Sequence, residues 1–183
     1  GLPRFILGID PGRFLSRTAE DPMLEALHRL KNHEPVQYIT GKAHFMGMEL
    51  QVSPAVLIPR PETEGLVRWV LEAYPGKTFP KRVLDAGTGS GCIALALARE
   101  WIASELYALD ASAEALAVAR QNAREQELDV AFLQGDMCQP EALPGPFQLI
   151  VSNPPYIPRA DAAEVQARVR KSEPEQALFV PDA

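Results

Sequence analysis

Val83-Leu84-Asp85-Ala86-Gly87-Thr88-Gly89-Ser90-Gly91, running on into Cys92-Ile93-Ala94-Leu95-Ala96-Leu97-Ala98, is the stretch that decides the fold. The apolar run over 82–86 reads as a strand, and the Ala/Leu-rich segment to about Glu100 reads as a helix. Between them, alternate glycines let the backbone turn tightly and approach a ligand with no Cβ in the way. The spacing is Gly-x-Gly-x-Gly, not the dinucleotide-binding Gly-x-Gly-x-x-Gly.

The same grammar continues downstream. Glu105-Leu106-Tyr107-Ala108-Leu109 is an apolar run closed by Asp110. An acid at that strand end can accept hydrogen bonds from both hydroxyls of a ribose. Ser112 caps a helix to about Glu127, strand 130–134 ends in Gly135-Asp136, and strand 147–152 ends in Asn153. Strands alternating with helices predict a parallel sheet with right-handed crossovers. Asn153-Pro154-Pro155-Tyr156 then stops the last strand, because proline donates no backbone hydrogen bond. The two prolines also stiffen the loop, holding Asn153 and Tyr156 at a strand's carboxyl end, where open α/β sheets bind ligands. Alone, this tetrapeptide reads equally as a strand terminator with a capping Asn. A glycine loop, a strand-end acid and a strand-end Asn-Pro-Pro-Tyr, in order on successive strands, make a strong signal of a ligand site. Residues 160–171 read as a polar, Ala-rich helix or a lid, ended by Glu173-Pro174.

Upstream, Phe5-Ile6-Leu7 is apolar and Asp10-Pro11-Gly12 is a turn signal. Asp21 is placed to cap a helix beginning at Pro22, with an apolar stripe of Met23, Leu24, Leu27 and Leu30, ending near Asn32. Val36-Gln37-Tyr38-Ile39, Ala43-His44-Phe45 and Met48 to Val52 read as strands, with Met46-Gly47 near a turn. In Leu57-Ile58-Pro59-Arg60-Pro61-Glu62-Thr63-Glu64, Pro61 starts a helix with Glu62 and Glu64 at its positive end. Leu66, Val67, Val70 and Leu71 then face inward. Arg60 reads either as a solvated surface charge or, since two prolines hold it in stiff extended backbone, as a gate beside a pocket.

At 183 residues and 46% apolar content, the chain holds one domain with a small appendage. The net charge of −6 offers no basic field for a polynucleotide. Cys92 and Cys138 lie far apart with no metal spacing, as in a reducing compartment, and Cys92 reads as a small packed residue. His28, His33 and His44 form no ligand cluster, so no metal is expected. No secretory signal or membrane-length apolar run is visible, which makes the cytoplasm the default location. Four parallel strands would leave strand 147–152 as an apolar edge. That predicts either a longer parent protein or a partner on this edge.

Three segments resemble the release-factor glutamine methyltransferases, the HemK type of S-adenosylmethionine-dependent enzyme. They are Glu34 to Gly41, similar to the start of that family's interdomain hairpin, Leu57 to Glu64, similar to its Leu-Ile-Pro-Arg-Pro-(Asp/Glu)-Thr-Glu signature, and Ile150 to Ile157, similar to its catalytic loop. The Asn-Pro-Pro-Tyr loop by itself is shared with enzymes that methylate adenine, so the second segment is what points to glutamine. The resemblance implies a Rossmann-like class I methyltransferase α/β fold. Residues 1–34 would be part of a helical amino-terminal domain, 35–58 a linking β-hairpin and 59–183 the methyltransferase domain, with both ends continuing in the natural protein. Gly87, Thr88, Gly89, Ser90 and Gly91 would cradle the methionine moiety of S-adenosyl-L-methionine. Asp110 would hold its ribose, Asp136 with Met137 would flank its adenine, and Asn153 would border the cofactor as well. Asn153 and Pro154 would present the substrate amide, with Tyr156 packed on it and Pro155 and Arg60 beside it. Peptide-chain release factors would be the partner. The rivals are an adenine-N6 methyltransferase on nucleic acid and a cofactor-binding module without turnover.

Overall fold

A computed structural model of the chain describes residues 17–75, 79–139 and 143–180. The turn expected at Asp10-Pro11-Gly12 and the apolar run before it lie outside them. In chain order the elements are α1 (Arg17–Lys31), α2 (Val36–Thr40), a hairpin of β1 (Lys42–Phe45) and β2 (Met48–Gln51), and α3 (Pro61–Ala73). The alternating part follows as β3 (Arg82–Ala86), α4 (Cys92–Glu100), β4 (Glu105–Asp110), α5 (Ala113–Glu125), β5 (Ala131–Gln134) and β6 (Leu149–Ser152). The described chain ends with β7 (Ile157–Pro158), a 3₁₀ turn (Arg159–Ala163), α6 (Ala167–Ser172), α7 (Glu175–Leu178) and β8 (Phe179–Val180).

The four central strands pair in parallel in the order β5-β4-β3-β6. This is the sheet that the strand–helix alternation predicts, with β3 central and β6 at an edge. On β3, Val83, Leu84, Asp85 and Ala86 are all buried, as expected for a strand covered on both faces. The helix α4 is buried from Cys92 to Ala98, and its Leu95 and Leu97 are fully enclosed. Burying such a side chain stabilises by roughly 1.5–3 kcal/mol. At the α3 end of the core, Trp101 is stacked on Phe79 and meets Tyr74 edge-on.

The hairpin shares this core. Its residues alternate in and out, and Phe45, Met48 and Leu50 pack against α4 and the sheet. Met46 (φ 47°) and Gly47 (φ 76°) form a two-residue turn with both φ values positive, the twist-matched hairpin connection. Asn122 of α5 holds the hairpin from the other side. Its amide accepts from the Gln51 N–H at 2.6 Å and donates to the Gln51 carbonyl at 3.0 Å, as a neighbouring strand would.

Three expectations change. Residues 36–40 are helical, not a strand. Pro35 and Gly41 punctuate the segment locally: the Tyr38 and Ile39 N–H groups donate to the Pro35 carbonyl, and Gly41 takes a left-handed C-cap conformation at φ 72°. This short-range pairing overrides the β propensity of Val36 and Ile39. The first helix is already formed at Arg17 and contains Pro22 instead of starting there. Pro22 is the sixth residue of this 15-residue helix, so it forgoes the bond to the carbonyl four residues back and crowds that carbonyl, a local cost within an otherwise helical segment. The apolar stripe on that helix is exposed. Finally, 160–171 is divided between the 3₁₀ turn and α6.

Candidate functional site

A cleft of about 420 Å³ opens at the carboxyl ends of β3, β4, β5 and β6, within the size range of small-molecule sites. Its floor is the glycine loop, and β4 holds that loop shut. The Gly87 and Thr88 N–H groups donate to the Leu109 carbonyl at 2.8 and 2.9 Å, and the Gly89 N–H donates to Asp110 Oδ2 at 2.8 Å. A phosphate-binding loop leaves its amides free for the anion. Here these three are spent within the protein, so the loop presents its ligand with close-approach surface. The departure from dinucleotide spacing therefore has a structural counterpart.

Two glycines are required by geometry. A Cβ on Gly87 (φ 78°) would stand 3.0 Å from Met137 Cε, and one on Gly91 (φ 84°) would stand 3.2 Å from Ala119 Cβ. Gly91 is the N-cap of α4 and has no side chain to offer. Asp85 supplies the cap from β3: its Oδ2 accepts from the Ala94 N–H at 3.1 Å and from the Thr88 hydroxyl at 2.6 Å. Asp85 is fully buried and its Oδ1 has no protein partner. Burial pushes its pKa up to about 6, with a smaller push from Asp110, against the two hydrogen bonds that favour the charged form. Cys92 beside it is enclosed too, and burial pushes the thiol up to about 12, as fits a packed residue and not a nucleophile.

Asp110 is pre-oriented on the cleft wall. Besides Gly89, it accepts from the Ser112 N–H through Oδ1 at 2.9 Å. Each carboxylate oxygen keeps a further lone pair for a ligand. Asp136 and Met137 line the cleft at the end of β5, and Asn153, Pro154 and Pro155 line it at the end of β6. Thr88, Gly89 and Ser90 complete the floor with Gly87. Tyr156 is not part of the wall: it is 75% exposed.

The fourth side comes from segments far away in sequence. Val56, Leu57, Pro59, Arg60 and Thr63 line it together with Pro174 and Ala177. The Arg60 guanidinium is ion-paired with Glu173, whose side chain is only 1% exposed. Glu173 Oε2 also accepts from the Ile58 N–H at 3.4 Å. Below, the Tyr38 hydroxyl donates to the Val56 carbonyl at 2.6 Å. Burial foremost, and the charge of Glu173, raise the Tyr38 pKa, so the hydroxyl remains a donor. Thr63, in the first turn of α3, accepts at Oγ1 from Asn153 Nδ2 at 3.3 Å. Among the described residues no cluster of His, Cys, Asp and Glu could hold a metal, and no helix is long and apolar enough to cross a membrane.

The structure thus brings the predicted Gly87, Thr88, Gly89 and Ser90, with Asp110, Asp136, Met137, Asn153, Pro154, Pro155 and Arg60, to one cleft, whereas Gly91 caps α4 and does not line it. Sequence reasoning missed Asp85, Thr63, Asn122 and Glu173. Asp85 was visible as an acid inside an apolar strand, and Asn122 as an amide on the inner face of a helix. Nothing in the order of residues joins Thr63 to Asn153 or Glu173 to Arg60.

Comparison with known proteins agrees with this architecture. The release factor glutamine methyltransferase of Bacteroides thetaiotaomicron is 43% identical over 169 residues, 92% of this chain and 60% of the relative. That of Streptococcus pneumoniae is 49% identical over 151 residues, 82% of this chain and 53% of the relative. The chain therefore spans little more than half the length of these curated relatives. Among solved structures, a 16S rRNA N2 methyltransferase of T. thermophilus, in complex with AdoMet and guanosine, superposes with a TM-score of 0.54 at 23% identity. That match covers 63% of this chain and 32% of the other, and it bears on the fold. The methyltransferase small domain model matches residues 67–173, a span that holds the glycine loop, Asp110 and the Asn-Pro-Pro-Tyr loop, and the chain belongs to that family.

Proposed function

We propose that this chain binds S-adenosyl-L-methionine and methylates the side-chain amide nitrogen of a glutamine in a peptide-chain release factor. The observation that carries the reading is the convergence of Asn153 and Pro154 with the glycine loop and Asp110 on one cleft. The names of the 43% and 49% identical relatives supply the substrate.

The residues fit the cofactor. Gly87 to Ser90 provide the floor for a methionine moiety, with the Gly87, Thr88 and Gly89 amides already bonded within the protein. Asp110 has lone pairs left for two ribose hydroxyls, and Asp136 with Met137 borders the place for a flat base. When bound, the cofactor supplies a methyl group on a positively charged sulfur, an electrophile that needs no further activation.

What the chain adds is orientation. An amide nitrogen is a poor nucleophile because its lone pair is delocalised into its carbonyl. The side-chain oxygen of Asn153 and the carbonyl of Pro154 can both accept from a substrate NH₂ group. Two acceptors in a fixed loop hold the nitrogen's two protons and so set the direction of its lone pair. Tyr156, exposed at the loop's end, is available to pack on the planar amide.

The test is mass spectrometry of a release factor after incubation with the intact protein and S-adenosylmethionine. One added methyl group, localised by fragmentation to a glutamine side chain, is the expected result. Cofactor binding with an unmodified release factor would leave only the binding module standing, and methylated adenine in nucleic acid would favour the other rival.

A further inference from the structure

We propose that Thr63 is the positioning residue for Asn153, holding its amide nitrogen so that the oxygen is left for the substrate. The proposal rests on the reading above, in which the Asn153 oxygen accepts from the substrate nitrogen.

An asparagine side chain on a loop turns about χ1 and χ2 unless a hydrogen-bond partner holds it. Asn153 Nδ2 donates to Thr63 Oγ1 at 3.3 Å, across 90 residues of sequence. With the nitrogen arm directed at Thr63, the oxygen arm is left for another donor. Thr63 is itself immobilised. It is buried, with 6% exposure, and its N–H donates to the Arg60 carbonyl at 3.1 Å in the first turn of α3. Pro61 starts that turn, and Arg60 before it is anchored on Glu173. The Pro-Arg-Pro-Glu-Thr-Glu segment thus acts on the chemistry through the Asn-Pro-Pro-Tyr loop. A side chain released from this anchor would offer the substrate nitrogen no fixed acceptor, so losing the hydroxyl should tell on the chemical step.

The test compares Thr63→Val, which keeps the shape and removes the hydroxyl, with Thr63→Ser, which keeps the hydroxyl. Both are made in the wild type and in Asn153→Ala. Single-turnover methylation of the release factor at saturating cofactor should fall about tenfold to a hundredfold in Thr63→Val. Thr63→Ser should stay within about threefold of wild type, and cofactor affinity should be unchanged in both. In Asn153→Ala, Thr63→Val should cause no further loss. An unaffected Thr63→Val, or an equal loss in the Asn153→Ala background, overturns the proposal. Should the wild type leave glutamine unmethylated, the functional reading fails by itself, and nitrogen-15 NMR of the Asn153 side-chain amide still decides the contact. A hydrogen-bonded proton shift lost in Thr63→Val supports it, and an unchanged spectrum refutes it.

Discussion

The two strand-end groups, Asn153 and Asp110, were legible because strand ends and loop chemistry are local properties of a sequence. If Asn153 acts by accepting from the substrate, its oxygen matters more than its nitrogen. Asn153→Ala should lower single-turnover methylation roughly 10²–10³-fold. Asn153→Asp keeps an acceptor but loses the N–H donor that faces Thr63 and adds a charge beside the cofactor, and should fall between wild type and Ala. Equal inactivity of the two variants, both folded and binding cofactor, would show that acceptance alone is not enough. The role of Asp85 is not legible in the strand that carries it, because its partners Thr88 and Ala94 become its neighbours only when the loop closes. Its folded pKa of about 6 lies above the ordinary value near about 4. Between those values the native state holds a proton that the unfolded chain has released. Its contribution to stability is therefore greatest below about pH 4 and declines as pH rises toward 6, by ~3 kcal/mol in all. Urea titrations of wild type and Asp85→Asn at stepped pH should show wild type losing ground to the variant across that window. A flat or rising difference would contradict the assignment.

Among the elements, the alternating strands and helices of 82–152 could be read because each carries its own period and stop signals. Residues 36–40 could not, since β-branched and aromatic residues there are outvoted by Pro35 and Gly41 at the ends. The docking of the hairpin was hidden for another reason: its polar anchor belongs to α5. Asn122 makes three bonds, two to Gln51 and one, at 2.9 Å, to the Ser90 carbonyl in the glycine loop. Asn122→Ala would remove the side-chain partner of two part-buried groups at Gln51 and one buried carbonyl at Ser90, and should destabilise by about 2 kcal/mol. Chemical denaturation measures it. A loss below about 1 kcal/mol would mean that the hairpin is held by its apolar face alone.

At the scale of the molecule, the strand order β5-β4-β3-β6 leaves β6 paired only with β3 among the described residues, and Ile150 on it is 61% exposed. Composition spoke to partners more than to shape. With a net charge of −6, the protein should bind random-sequence duplex DNA negligibly at physiological salt. Fluorescence anisotropy that rises steeply with protein and collapses with added salt would reopen the adenine reading. The cleft itself was only partly legible: three walls follow the strand order, whereas the fourth depends on a contact between Arg60 and Glu173, 113 residues apart.

That contact also bears on when the site comes into being. Closing so long a loop carries an entropic penalty that local strand–helix pairing does not. The sheet and its helices can therefore assemble before the Arg60–Glu173 pair exists, leaving the cleft open on one side until late in folding. Weakening the pair should act on the exit from the native state and not on the way in. In a stopped-flow chevron, Glu173→Gln should raise the unfolding rate about tenfold with the folding rate unchanged. A slowed folding limb would place this clasp in the nucleus instead.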